Sequence, residues 1–509
     1  MQKSGPGRFV LPLIFLHLAI AVPLALFLSI WADEASTLYT TQNGFFAAFR
    51  NAGTSEKQAP LYFWILSLWR LINDSIFFAR LFSIVCSAAA IKVFAGLAER
   101  WLDPRAALLA TSFFALHPIL IWASLEIRVY SLVILLSLSL VLLFFEGFWE
   151  ESSQEPQKTQ RGKQVLFLAV AVFALYTNYY LGFLLPGFFA ALVISRRWRG
   201  ARDYVLIMII AGLVFLPMAV TIRSQLAVRT AGFQQEIYFI EGIRHIWHHA
   251  VTFMLPAGFL SDADQSWFSV LRLWAVRALA VAAGVLAIIY ARRISSRTIA
   301  LGVITTSIVI GLLVAYYVLG PTHIALRHAS VLFAPLIIFT SSLLADLAVD
   351  WTGRCVRIVS LAAGLPILIS FSYSLTALHP NLSKRGDWGR IGEFIEQNEM
   401  PGQPILIFTT FDALALPYHY KGVNRVLPDE KFFSFDLEAE LGTPGSLMSE
   451  IEFAISEIPA DAAWLWLAVN EKCLTTEACV PLENYVKENY TIEIEKEFYL
   501  EKLYLLKKK

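Results

Sequence analysis

The chain has 509 residues, of which 57% are hydrophobic and only 16% charged, with 14 Trp, 18 Tyr and 38 Phe. Soluble globular chains carry about 25% charged residues, whereas here residues 9–32, 106–125, 164–195, 298–326 and 358–383 contain no Asp, Glu, Lys or Arg at all. A bilayer crossing takes about 20 apolar residues, so an ordinary soluble enzyme is excluded and a multi-spanning membrane protein is expected. The formal charge of +1 hides a split: residues 1–380 carry 28 Lys+Arg against 18 Asp+Glu, and residues 381–509 carry 13 against 22.

Taken in chain order, residues 9–32 are too long for a signal-peptide core and lack a clear small-residue cleavage pattern, so they read as a retained first span. Lys3 and Arg8 place the N-terminus in the cytoplasm and the loop holding Asp33 outside. Residues 60–72 are aromatic and too short to cross, which suits an interfacial helix within an outer loop spanning 29–75. Spans then follow at about 76–97, 106–123 and 129–146. Residues 164–195 lie between two basic loops, so they are expected to go up and return, with an apex near 177–180; one long helix is the competing reading. Further spans are expected at about 203–221, 270–290, 298–318, 329–347 and 357–377, with a large outer loop over 222–269. The expectation is an α-helical polytopic protein with about 11 transmembrane helices over residues 1–380.

Residues 381–509 read as a small extracytoplasmic α/β domain. Residues 404–408 and 464–469 look like buried strands, 391–398 and 447–458 like helices, and the alternating TIEIEKEFYLEKLYLL like one half-buried strand. Cys473 and Cys479 sit in this exported segment, where a disulfide is allowed; two unpaired small residues are the alternative. Cys86 and Cys355 suggest no chemistry.

Four sparse clusters of charge fall on the same outer side. Asp33 and Glu34, adjacent after the first span, suit a carboxylate that activates a hydroxyl and a neighbour that orients the site, or simple acidic flanking of a span. Glu56 and Lys57 open the interfacial helix, where the ammonium is able to meet a phosphate or merely snorkel. Glu126, Arg128 and Tyr130 join two apolar spans. Arg327 and His328 introduce another. No metal site is assigned, although a divalent ion at Asp33 and Glu34 stays open, and no other cofactor is indicated. No glycine-rich nucleotide loop stands out, and nothing points to nucleic acid.

WADEA (31–35), EKQAPLYFW (56–64), HPILIWASLEIRVYSL (117–132), GPTHIALRH (320–328) and KRGDWGRIGEFI (384–395) together resemble the GT-C superfamily of polyprenyl-phosphate-sugar glycosyltransferases. The nearest group is family 39-like, with bacterial mannosyltransferase and aminoarabinose-transferase members, and the likeness covers about residues 8–395. It implies a GT-C fold and inverting transfer from a lipid-phosphate sugar, usually an undecaprenyl-phosphate sugar, to a lipid, glycan or protein acceptor outside the bacterial cytoplasmic membrane. By the resemblance Asp33 is the essential acid with Glu34 beside it. Lys57, Arg128 and Arg327 are donor-phosphate contacts, supported by Glu56, Glu126, Tyr130 and His328. The chain departs from the pattern by one extra residue and one lost proline after Lys57, and by His328 where a tyrosine is usual. A transporter or flippase of an anionic lipid-linked substrate and a non-catalytic membrane scaffold remain as alternatives.

Overall fold

The computed structural model describes residues 9–54, 56–149, 157–230, 239–256, 288–320, 324–348, 371–375, 382–384, 386–408, 413–428, 446–470 and 479–509, together with positions 274, 277, 278, 281, 284, 285, 368, 369, 378 and 379. The chain divides into two compact units. One comprises Met1–Ala25, Gln58–Ile65 and Phe77–Leu378; the other comprises Leu26–Lys57, Leu66–Ile76 and His379–Lys509. The loop after the first helix therefore groups with the C-terminal residues.

The first unit is helical. It is built from α1 (Val10–Phe27), most of α5 (Ile76–Trp101), α6 (Pro104–Ala115), α7 (Pro118–Leu125), α8 (Tyr130–Phe144), α9 (Gln157–Thr177), α10 (Leu184–Ile194), α11 (Trp198–Thr230), α12 (Phe239–Met254), α13 (Ser296–Leu319) and α14 (Ser330–Leu347). Among the described residues six helices are long and apolar enough to cross a membrane, and the bent pair α6 and α7 adds a seventh if it forms one span. The spans expected at 270–290 and 357–377 lie largely outside the described residues. Large apolar side chains stand exposed along α11, including Leu206, Ile209, Leu213, Leu216 and Val220, a face suited to a lipid environment. By contrast, α8 is mostly buried. This is a multi-pass membrane protein.

Local chemistry sets the breaks. Pro118 follows His117, so α6 cannot run on through it, and α6 and α7 meet at 44°. Residues 164–195 form two helices, not one: α9 ends at Thr177, Asn178 turns extended and accepts from the Tyr180 N–H, and a 3-10 turn over Tyr179–Phe183 leads into α10. The break falls at the expected apex. Helix α11 runs unbroken for 33 residues, beyond the expected span end at 221. Buried polar groups fasten these helices: His17 Nδ1 donates to the Ala115 carbonyl at 2.8 Å while its Nε2 meets Ser87 Oγ at 3.0 Å.

The second unit combines a five-stranded sheet with short helices. Strands β1 (Ile405–Phe408), β2 (Val426–Leu427), β3 (Trp464–Asn470), β4 (Tyr490–Phe498) and β5 (Glu501–Lys508) lie in the order β2-β1-β3-β5-β4. Strand β1 pairs parallel with β2 and β3, whereas β5 is antiparallel to both β3 and β4. Alternation along β3 serves two faces. Leu465, Leu467 and Val469 enter a core with Ile451 and Ala454 of α16 (Ser446–Ser456) and Leu482 of α17 (Val480–Asn489). Buried Trp466 instead meets Phe394 of α15 (Trp388–Asn398), ring centroids 6.3 Å apart. The final alternating segment corrects the sequence expectation: it is not one strand but a hairpin, β4 and β5, reversing at Tyr499–Leu500 with Phe498 paired to Glu501. Cys479 is disulfide-bonded; Cys473 lies outside the described residues, as does Cys355, and Cys86 is a free, buried thiol.

Candidate active site

In the second unit the WADEA segment starts a helix, α2 (Ala32–Gln42), with Trp31 extended at its N-cap. Asp33 and Glu34 occupy its first turn, where carboxylates meet the positive end of the helix dipole. Their environments differ. Asp33 is half-buried, whereas Glu34 is fully buried and paired with Lys384, Nζ to Oε2 2.8 Å, with both side chains at most 3% exposed. Desolvating two charges is costly unless they are well paired, so this contact fixes the start of α2. Just before it, the Ile30 N–H donates to His419 Nε2 at 3.0 Å.

The rest of α2 is held by two more charged groups. Ser36 and Thr40, one helical turn apart on one face, donate to Glu56 Oε1 at 2.8 and 3.3 Å. At the C-terminal end Arg70 Nη1 donates to the Leu38 carbonyl at 2.6 Å and to Thr41 Oγ1 at 2.5 Å, and its Nη2 pairs with Asp74. Cations there complement the free carbonyls of a helix end. Helix α3 (Phe45–Thr54) intervenes, and Lys57 follows Glu56 in the left-handed region at φ 49°, half-buried. A non-glycine residue in that region is uncommon and carries backbone strain. Lys57 stands just before α4 (Leu61–Arg70).

The remaining expected residues belong to the helical unit. Glu126 is the extended C-cap of α7, and its carbonyl accepts from Ser83 Oγ at 2.6 Å. Arg128 is buried in the short link from α7 to α8, and Tyr130, the first residue of α8, stacks on Trp122 with centroids 5.0 Å apart. Arg327 and His328 lie in the turn before α14, both partly buried. His328 Nδ1 accepts from the Ala325 N–H at 3.2 Å, and the Ile324 carbonyl takes hydrogen bonds of 2.7 Å from both His245 and His249 on α12. The turn carrying Arg327 is thus fastened from its N-terminal side.

Asp33, Glu34, Glu56 and Lys57 are gathered on and beside one short helix. Sequence reasoning missed two of that helix's partners, Lys384 and Arg70, and His419, which holds the Ile30 N–H just before it. The only signal for Lys384 was its place at the head of KRGDWGR, a basic cluster in an acidic tail. Gly386 in this motif has φ 81°, and a Cβ there would lie 2.5 Å from Trp388 Nε1, so only glycine fits. Glu34 is engaged by Lys384, and among the described residues no group of three or more His, Cys, Asp or Glu could hold a metal ion.

The same architecture occurs in solved proteins. ArnT from Cupriavidus metallidurans, in a crystal structure bound to undecaprenyl phosphate, superposes with a TM-score of 0.59 over 98% of both chains at 13% identity. The chain has a GT-C fold. An oligosaccharyltransferase from Archaeoglobus fulgidus, tethered to an acceptor peptide, shares this GT-C architecture with a TM-score of 0.55 at 13% identity, covering 96% of this chain and 73% of that one. In sequence, the family described as dolichyl-phosphate-mannose-protein mannosyltransferase matches residues 57–220. That stretch includes Lys57, Glu126, Arg128 and Tyr130 and begins after Asp33. No curated protein matches the chain.

Proposed function

We propose that this GT-C protein is an inverting glycosyltransferase that moves a sugar from a polyprenyl-phosphate donor to an acceptor hydroxyl at the outer face of the bacterial cytoplasmic membrane. Its N-terminus is cytoplasmic and its C-terminal domain extracytoplasmic. One observation carries the choice of reactive group: of two adjacent carboxylates on α2, Glu34 is buried and neutralised by Lys384, while Asp33 is partly exposed at the helix start. Asp33 is assigned as the base. It accepts the proton of the acceptor hydroxyl as that oxygen attacks the anomeric carbon, and the bond from that carbon to the phosphate oxygen breaks on the opposite side. The phosphate leaves with the lipid as a weak base, so no separate acid is required to protonate it. Lys57, Arg128 and Arg327 are assigned to the donor phosphate, whose growing charge they stabilise. Glu34 is assigned a positioning role through Lys384, and Glu56 another through Ser36 and Thr40.

The test is turnover of purified full-length protein with undecaprenyl-phosphate sugars and an extract of envelope lipids and glycans. A positioned base contributes about 10²–10⁴-fold, so Asp33→Asn is expected to lower kcat by that factor while undecaprenyl phosphate still binds. Unchanged turnover in Asp33→Asn would overturn the assignment of the base.

A further inference from the structure

We propose that the C-terminal domain carries a second, non-catalytic site: a saccharide-binding cleft where α15 meets the β4–β5 hairpin, which receives the glycan part of the acceptor. The cleft is open to solvent and has a volume of about 760 Å³, within the size range of small-ligand sites. All its walls belong to one compact unit. Phe394 of α15 and Phe498 and Tyr499 of the hairpin supply apolar ring surface, while charged and amide groups surround them.

The polar groups are held ready by contacts within the domain. Arg390 Nη1 pairs with Asp387 Oδ2 at 3.0 Å, and Asp387 also accepts from Ser383 Oγ at 2.7 Å. Gln397 Nε2 donates to Glu393 Oε1 at 3.2 Å. The Lys496 ammonium lies 3.9 Å from the centre of the Phe394 ring and 5.5 Å from that of Phe498, an attraction between cation and ring face. Charged and amide groups thus border the ring surface of Phe394, Phe498 and Tyr499. A pyranose presents the matching surface: a C–H face for the rings and hydroxyls that both donate and accept.

Charge narrows the ligand class. Three carboxylates, Asp387, Glu393 and Glu497, face two cations, Arg390 and Lys496, so the cleft gives no net attraction to phosphate or uronate and favours a neutral saccharide. Strain supports a built site. Leu500, also lining the cleft, turns the hairpin with φ 62°, a conformation expensive for a side chain with a Cβ, and such strain concentrates at functional positions. The cleft also accounts for Asp387, Arg390 and Glu393 of the KRGDWGRIGEFI motif, to which the reaction assigns nothing.

The acceptor role rests on the transferase reading, but binding does not, and the experiment separates them. Full-length protein in nanodiscs is applied to an array of neutral, uronate-containing and phosphorylated bacterial envelope glycans. Neutral glycans are expected to bind. The surface variant Glu393→Ala/Gln397→Ala and, separately, Lys496→Ala should each weaken that binding at least tenfold, with Tm and undecaprenyl-phosphate binding unchanged. Asp33→Asn should bind glycans as the wild type does. Binding to no neutral glycan, a preference for phosphorylated glycans, or binding indifferent to these variants would overturn the cleft. Cleft-dependent binding together with full turnover in Asp33→Asn would leave the cleft standing and remove only the proposed base.

Discussion

Replacing Lys384 by methionine removes the cation from a buried pair in which its ammonium lies against the Glu34 carboxylate. At 2.8 Å the direct attraction is ~6 kcal/mol at an effective dielectric of about 20, but the folded protein does not lose all of this. Glu34 is able to take up a proton, and from an ordinary glutamic acid value near 4.3 that costs about 3.7 kcal/mol at pH 7. The expected destabilisation of Lys384→Met is therefore ~2–4 kcal/mol, in line with the ~3–5 kcal/mol typical of breaking one side of a buried pair. Glu34→Gln alone should cost a similar amount, because it removes the carboxylate paired with a buried ammonium. The double variant should cost at least ~2 kcal/mol less than the sum of the two, since both charges are gone. Unfolding of the detergent-purified protein, followed by tryptophan fluorescence, measures all four corners of this cycle. Because a lower pH reduces the cost of neutralising a carboxylate, the deficit of Lys384→Met should shrink as the pH is lowered. Additive single costs, or a Lys384→Met deficit that does not change with pH, would refute the idea that this pair holds α2.

Three other changes probe the two units separately. At Gly311 on α13 a Cβ would lie 2.3–2.7 Å from the Phe183 ring, so Gly311→Ala should cost ~1–3 kcal/mol by overpacking, and Phe183→Leu should recover part of it in the same unfolding assay. Leu500→Gly should stabilise the C-terminal domain by roughly 0.5–1 kcal/mol, because relief of the left-handed strain exceeds the added freedom of the unfolded chain; Leu500→Ala keeps the Cβ and should gain nothing. Burial pushes the Tyr490 hydroxyl up to about 12, with Tyr485 adding to the shift. Its contribution is intact below about pH 10 and is lost as pH rises toward 12, because the unfolded chain ionises first; Tyr490→Phe should flatten that alkaline fall in stability.

Much of the architecture is legible along the chain because it depends on local composition. Apolar runs located the first helix, α8, α13 and α14, and the break at Asn178 follows from a polar TNYY in an apolar stretch. Strands β1 and β3 are short apolar runs that a buried sheet requires. The closing hairpin escaped the sequence because its turn, Tyr499–Leu500, has none of the Gly, Asn or Asp that normally mark a reversal, and a strained leucine serves instead. The bend at His117 was visible only as a proline inside an expected span.

The candidate site divides in the same way. Asp33 and Glu34 were evident as adjacent carboxylates beside a membrane span, and the resemblance already ranked Asp33 first, but their different environments, a buried Glu34 paired with Lys384 and a half-buried Asp33, appear only in the fold. The partner of Glu34 lies at position 384, Arg70 holds the C-terminal end of α2, and His419 holds the backbone at Ile30 just before it. The sequence by itself determined where charge is scarce, hence a membrane protein with an acidic C-terminal domain, because hydropathy is a property of each residue in its own stretch of chain. Which charges meet was decided by the tertiary structure alone, because a buried ion needs a counter-ion within about 3 Å and the fold can draw that counter-ion from any point along the chain.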